Sequence, residues 1–282
     1  MATVLLTGAS GLVGSRLLPR LVDTGFECRA LIRGEVDLPS AVTGSRGDLG
    51  DPTSLREAVE GVDAVIHLAA GVDAVIHLAA LFRTGDEDAI WRANLDGTRN
   101  LLGAVQAYAP RARFVMASTG NVYNADSERP GRETDTCTPT AAYPASKVAA
   151  EALVRESGLT WSIVRLPFVY GDGDGHLASM PTLADRFGLH PAHTYSVLHH
   201  RDVAAVMNLA LTGVMDGRVV NATDDAPISV LEMAGLVGVT MQGSAEPLSN
   251  PWSGRMDSTA LRELGFRPTV PTIWGAAAEG IL

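Results

Sequence analysis

Thr7-Gly8-Ala9-Ser10-Gly11-Leu12-Val13-Gly14 is the stretch on which the fold of this chain turns. It follows Ala2–Thr7, a short apolar run of strand formers, and leads into Leu12, Leu17, Leu18, Leu21 and Val22, which repeat at helical spacing up to Gly25. Strand, glycine turn, amphipathic helix and glycine stop open a dinucleotide-binding unit. The spacing of Gly8, Gly11 and Gly14 is GxxGxxG rather than GxGxxG. Glycines there let the backbone turn tightly and approach a pyrophosphate, while the helix start offers unpaired N–H groups and partial positive charge. Gly8, Ser10, Gly11, Leu12, Val13 and Gly14 are therefore expected to line a cofactor, although a plain strand-to-helix turn would read similarly.

Cys28–Ile32 reads as the second strand, and its tip carries Arg33 instead of an acid. An acid there would bind a ribose 2′-hydroxyl; an arginine can pair with a 2′-phosphate. NADP is thus preferred over NAD, with Glu35 close enough to complicate the preference. Asp48-Leu49, after a short third strand, is a candidate adenine contact or simple turn chemistry. Asp51-Pro52-Thr53 starts a helix in which Ser54 and Glu57 have capping-box spacing.

Residues 61–70, GVDAVIHLAA, recur unchanged at 71–80. Two identical decapeptides are a tandem duplication, not a solenoid, whose units run to ~20 residues or more. One copy should supply the fourth parallel strand. The second is favoured, because it keeps the connection to Leu81 intact, and the first is then expected to loop out at the sheet end away from the active site. Beyond it, Asp86–Tyr108 reads as a long helix, Ala112–Ala117 as a strand, Tyr143–Ser157 as a helix and Leu159–Leu166 as a strand. This alternation implies an α/β fold, a doubly wound parallel sheet of the Rossmann type. After Pro167 the pattern loosens into a glycine- and aspartate-rich loop and shorter segments. Residues 1–167 are read as the dinucleotide-binding domain. Residues 168–282 are read mainly as a small C-terminal substrate lobe with segments returning to the sheet.

Tyr143-Pro144-Ala145-Ser146-Lys147 puts a phenol and an ammonium one helical turn apart on one face. A free tyrosine has a pKa of ~10, and a nearby lysine favours its phenolate. In this context the chain resembles the extended short-chain dehydrogenase/reductase family, the NAD(P)-dependent epimerase/dehydratase type. The resemblance is carried by TGASGLVG (7–14), the HLAA ends of the repeat, NLDGTRNLL (94–102), MASTGNVY (116–123), YPASK (143–147), RLPFVYG (165–171), HRDVA (200–204) and LRELGFRP (261–268). It implies Tyr143 as acid/base, Lys147 as its tuner and nicotinamide-ribose ligand, and Thr119 as the hydroxyl that bonds the reacting oxygen. Ser118 is the next hydroxyl candidate, with a strand-end cap as the alternative for both. Asn94 would be a structural or proton-relay residue, and Ala79 would lie beside the cofactor. Gly120-Asn121 stand where sugar-nucleotide dehydratases of the family carry an acidic pair, which disfavours dehydration. Reductase or dehydrogenase and epimerase both stay open, and a non-catalytic dinucleotide sensor is the alternative of another class.

The remaining features are exclusions. The 282 residues carry a formal charge of -10, which argues against a nucleic-acid surface. Apolar residues make up 46%, enough for a sizeable core. Cys28 and Cys137 form no CxxC, so neither a disulfide framework nor a metal site is expected. No apolar run approaches the ~20 residues of a membrane helix, and no signal peptide is read, so a cytoplasmic protein is expected. His67, His77, His199 and His200 are read as packing residues, and Arg255 as either an anion grip or a surface cation. The resemblance also implies a homodimer through helices near 97–107 and 145–156, whose apolar stripes would serve the sheet equally well.

Overall fold

The short apolar runs become strands, and the computed structural model describes residues 2–60, 74–78, 80–81 and 84–282. In chain order the strands are β1 (Thr3–Thr7), β2 (Glu27–Ile32), β3 (Val42–Arg46), β4 (Ala74–His77), β5 (Arg113–Thr119) and β6 (Thr160–Leu166). They continue as β7 (Phe168–Tyr170), β8 (Thr194–Tyr195), β9 (Val197–His199), β10 (Arg218–Asn221) and β11 (Ile228–Ser229). One seven-stranded sheet runs β10-β6-β5-β4-β1-β2-β3. The pairs β1–β2, β2–β3, β1–β4 and β4–β5 are parallel. Strand order reverses at β1, so the glycine turn that follows β1 lies at the switch point, where doubly wound sheets bind ligands.

Ala74–His77 belongs to the second copy of the duplicated decapeptide, and it fills the place between β1 and β5, as expected. The first copy, residues 61–70, lies outside the described residues, as does Ala79.

The helices are α1 (Gly14–Asp23), α2 (Arg56–Val59), α3 (Glu87–Trp91), α4 (Gly97–Tyr108), α5 (Ala142–Glu156), α6 (Met180–Phe187), α7 (His200–Leu211), α8 (Val230–Leu236), α9 (Thr259–Glu263) and α10 (Ile273–Glu279). Two expectations are corrected. The helix expected over 86–108 is three pieces, because Arg92–Asp96 winds as a π-helix between α3 and α4. The capping box of Ser54 and Glu57 does not form. Asp51 caps instead, accepting from Thr53 N at 3.0 Å, and the Ser54 hydroxyl turns back to the carbonyls of Asp48 and Asp51.

The chain divides into two compact units. The first holds Met1–Ser118, Thr140–Val164 and Met207–Val219; the second holds Thr119–Pro139, Arg165–Val206 and Val220–Leu282. Residues 207–219 return to the first unit from beyond the boundary read at 167, and residues 119–139, from before it, fall in the second. In β5, β6 and β10 the chain leaves the first unit within the last residues of the strand, because insertions in such folds accumulate at strand carboxyl ends. The core of the first unit gathers Leu5, Leu55, Leu101, Val105, Phe114 and Val154. The apolar residues of α4 and α5 that suggested a dimer face are among those buried in this core. The second unit has its own core around Tyr170, Val197, Met233 and Ile273.

Candidate active site

Three glycines make the turn after β1, each for its own reason. Gly8 holds φ +72°, a left-handed conformation that other residues adopt at a cost. Gly11 N donates to Gly8 O at 2.9 Å and closes the turn. Gly14 admits no side chain at all: a Cβ there would lie 2.1 Å from Gly8 O. The first turn of α1 is thereby seated against the loop. No side chain caps α1 at Val13; Ser15, Arg16 and Leu17 N–H donate back to Gly11 O and Val13 O, so any N–H groups open to an anion lie before Ser15 in the turn. Ser10 and Gly11 are exposed and Leu12 and Val13 half-buried. This cradle fits a dinucleotide pyrophosphate.

Arg33 stands exposed one residue past β2, without an ion pair or hydrogen bond among the described residues. The carboxylate of Asp48 is drawn into its own turn, accepting from Gly50 N at 2.8 Å. Leu49 packs against α4, where a Cβ on Gly97 would come within 3.1 Å of it, and its carbonyl accepts from Asn100 Nδ2 at 2.7 Å.

A buried ladder of polar side chains links this turn to the helix bearing Tyr143 and Lys147. Thr7 Oγ1 and His77 Nδ1 are 2.8 Å apart, and His77 Nε2 and Thr98 Oγ1 3.0 Å. The Thr98 hydroxyl donates to Asn94 O at 2.5 Å, so its proton is used and it must accept from His77 Nε2–H. His77 is then the neutral Nε2–H tautomer, with Nδ1 accepting from Thr7. Burial, aided by the positive charge of Lys147, pushes its pKa down to about 3, which keeps it neutral. Asn94, in the π-helical segment, accepts from Leu81 N (2.8 Å) and donates to Leu81 O and to Ser146 Oγ (both 3.0 Å). Ser146 passes its proton to Tyr143 O at 2.7 Å. The Asn94 amide is fully engaged, so these bonds describe its structural reading. π-Segments recur at functional sites, and this one turns Asn94 inward. The pivot Ser146 had no role assigned from sequence; nothing distinguishes a small residue inside YPASK except its place beside the lysine.

Tyr143 and Lys147 sit one turn apart near the start of α5. Tyr143 is half-buried and Lys147 almost fully buried. Burial lowers the Lys147 pKa to about 8, against an opposing pull from Glu151. Glu151 itself is paired with Arg155 at 2.8 Å. The Lys147 ammonium has no hydrogen bond or ion pair among the described residues. At the end of β5, the buried Ser118 hydroxyl is likewise without a partner. Thr119, the first residue of the second unit, does act as a cap: its Oγ1 accepts from Asn121 N at 3.2 Å. That bond uses a lone pair and leaves the Thr119 proton available.

In the second unit, His199 Nε2 meets Ile281 O at 2.9 Å and His200 Nε2 meets Asp174 Oδ2 at 2.8 Å, both buried, as packing residues. Arg255 lies over the Trp252 ring, 5.1 Å from its centroid, at the edge of an aromatic cavity of about 270 Å³. Among the described residues no side-chain cluster could hold a metal ion, and no helix is long and apolar enough to cross a membrane.

Residues 4–222 match the model of the NAD dependent epimerase/dehydratase family. A 4-hydroxy-2-methyl-3-oxo-4-farnesyl-3,4-dihydroquinoline-1-oxide ketoreductase from Stigmatella aurantiaca is 33% identical, over 94% of this chain and 81% of that protein. A dTDP-glucose 4,6-dehydratase from Streptomyces griseus is 29% identical over 98% and 92%. Some relatives are longer: the match to a ceramide reductase from Caulobacter vibrioides spans only 58% of it. The fold is shared with a short-chain dehydrogenase/reductase superfamily protein from Agrobacterium tumefaciens, solved with bound NAD (TM-score 0.79, 23% identity, 98% of this chain and 95% of that one). Cradle, ladder and family model agree: the chain belongs to the NAD dependent epimerase/dehydratase family and is an oxidoreductase or epimerase of the short-chain dehydrogenase/reductase type.

Proposed function

We propose that this enzyme is a reductase or dehydrogenase that exchanges hydride at a keto or hydroxyl carbon of a small substrate, with NADP preferred over NAD. The observation that carries the reading is Lys147: an ammonium buried one turn from Tyr143, its pKa lowered to about 8, with no carboxylate bonded to it. A desolvated cation beside a phenol, on the helix tied to the glycine turn, is an arrangement for tuning a proton donor. A bound nicotinamide dinucleotide supplies or accepts the hydride. Tyr143 gives its phenolic proton to the substrate oxygen in reduction and takes it back in oxidation, while Thr119 donates its remaining hydroxyl hydrogen to the same oxygen. Lys147 stabilises the phenolate left behind and binds the nicotinamide ribose. Gly8, Gly11 and Gly14 admit the pyrophosphate, and Arg33 meets the 2′-phosphate. Gly120 and Asn121 offer no acid or base for an elimination, which speaks against a dehydratase.

The test is Tyr143→Phe. Loss of its proton should lower kcat by about 10²–10⁴-fold while leaving dinucleotide binding unchanged. Turnover at the wild-type rate would overturn the reading. So would conversion of a sugar substrate to its epimer with no net change in nicotinamide absorbance.

A further inference from the structure

The second unit contains a cavity of about 270 Å³ lined by Tyr123, Tyr195, Trp252, His193, Leu189 and Arg255 among others. It adjoins the proposed chemistry within that unit, because Gly120 and Asn121, the two residues after Thr119, also line it. We infer that this cavity selects a ring-bearing substrate with a single anionic group, the ring lying among the aromatic walls and the anion meeting Arg255. The inference rests on the hydride-transfer reading for its place in catalysis, and on the cavity alone for its chemistry.

Charge is the first argument. Among the described residues no aspartate or glutamate lines the cavity. Asp257, near Arg255 in sequence, is held by Arg132 at 3.0 Å. Arg255 makes no ion pair or hydrogen bond through its guanidinium among the described residues. Burial lowers the pKa of His193, with help from His190, so the imidazole stays neutral. The cavity thus carries one positive charge in a chain of net charge -10. One guanidinium matches one carboxylate, bidentate and charge-assisted. A diphosphate would bring two anionic groups to it.

Shape is the second argument. Ligand cavities usually run from ~300 to 1,000 Å³, so this one sits at the small end and suits one or two fused rings rather than a nucleoside diphosphate sugar. The walls are also fixed in advance. Asn250 Nδ2 donates to Ala125 O (2.7 Å) and Ser127 O (2.8 Å), and Asn250 Oδ1 accepts from Trp252 N (2.8 Å), so one side chain pins the Trp252 loop to the loop after Tyr123. Gly254, at φ +82°, brings the same loop against Thr194, where a Cβ would lie 2.8 Å from its carbonyl oxygen. The Tyr123 hydroxyl is fixed between Asn221 Oδ1 (2.6 Å) and Arg165 (3.0 Å), and its ring is held against Gly131 with the Arg165 guanidinium over it. The His193 ring packs edge-on against Tyr195, centroids 4.7 Å apart. Flat rings stack on such walls without reorganising them.

The experiment is calorimetric titration of the full chain, with NADP⁺ present, using para-acetylbenzoate, its methyl ester and UDP. The acid and the ester share ring and ketone and differ in charge. The acid should bind about tenfold more tightly than the ester, ~1.4 kcal/mol, and Arg255→Gln should erase that difference while the ester is unaffected. Equal binding of acid and ester to the wild-type chain would overturn the inference without any variant, as would tighter binding of UDP than of the acid. Nicotinamide absorbance in a separate assay with NADPH as the hydride donor separates the two readings: an acid that binds selectively but is never reduced counts against hydride transfer and leaves the cavity inference standing. Reduction of neutral ketones without preference for the acid does the reverse.

Discussion

The ladder of the first unit and the cavity of the second are built on different principles. The ladder, Thr7–His77–Thr98–Asn94–Ser146, hangs on a strand end, a neighbouring strand, a helix start with its π-segment, and α5. Regular elements place each side chain, and each hydrogen bond reads one element against the next. The cavity is made by segments around 120–127, 189–195 and 250–255, the first and last joined by Asn250. Chemistry that tolerates little displacement sits on rigid elements, and recognition that differs among relatives sits on loops.

If that contrast is right, the ladder and the α5 pair should be the most sensitive part of the molecule. Lys147→Met should cost about 10²–10⁴-fold in kcat yet raise stability by up to ~3 kcal/mol, because a buried cation is replaced by an apolar chain. In the native enzyme the same residue sets a pH dependence. Its folded pKa of about 8 lies below the ~10.4 of an unfolded lysine. Below about 8 both states carry the proton and the burial penalty is full. Between about 8 and ~10.4 the folded chain loses its proton first, so the Lys147 contribution to stability rises with pH while the rate of reduction falls. Rate profiles and thermal melts from pH 7 to 10 check both directions.

Asn94→Ala should come next. It strips Leu81 N–H and C=O of their partner and frees Ser146, and each buried orphan costs about 1–3 kcal/mol. We expect a loss of ~2–4 kcal/mol in urea denaturation and about a tenfold lower kcat as Tyr143 loses its register. A variant as stable and as active as wild type would show that the ladder is incidental.

Asp224 sharpens the contrast from the other side, since this buried carboxylate of the second unit has one oxygen without a partner. Burial raises its pKa to about 8, far above the ~3.9 of the unfolded chain. From about pH 4 to 8 the unfolded chain ionises and the folded one does not, so stability drains as pH rises. Asp224→Asn should therefore stabilise by ~1–3 kcal/mol at pH 8 and by almost nothing at pH 4. A urea midpoint that shifts equally at both pH values would contradict this.

The same contrast explains what the sequence disclosed. The glycine turn was legible because three glycines at fixed spacing state a local backbone requirement, which Gly14 meets by direct contact with Gly8. Tyr143 and Lys147 were legible because helical spacing alone puts them on one face. Assignment of β4 to the second copy followed from keeping the link to Leu81, and Leu81 is the residue Asn94 clamps. The π-segment at 92–96 escaped because an extra residue in a helical turn leaves the apolar pattern readable as plain helix. Ser54 departs from the capping box its spacing allows because a serine can donate to carbonyls as readily as it caps, and only tertiary position decides. The joint role of Tyr123, Tyr195, Trp252 and Asn250 is not legible in the sequence, since they meet only after loops distant in sequence are folded. A smaller effect tests that point: Asn250→Ala should raise KM about 3–10-fold with kcat retained, because it loosens a wall and not the acid/base pair. A fall in kcat with KM unchanged would place Asn250 with the ladder.

The smallest effect belongs to the duplication. Both copies are identical, so deleting either one yields the same chain, in which Glu60 is followed by a single GVDAVIHLAA. β4 now begins at Ala74, so the deletion would leave Gly, Val and Asp between Glu60 and the strand, within the ~2–6 residues usual for a helix-to-strand connection. His77, its contacts to Thr7 and Thr98, and the clamp on Leu81 all lie at or beyond the strand and would be reproduced residue for residue. The segment enters at the amino end of β4, while the glycine turn follows the carboxyl end of β1, its parallel neighbour. Activity should therefore change by no more than about twofold, since every described contact of β4 is kept and the change enters at the strand end opposite the glycine turn. A large change in kcat would mean that the extra ten residues reach the catalytic end of the sheet; a change in KM alone would mean that they touch substrate recognition instead.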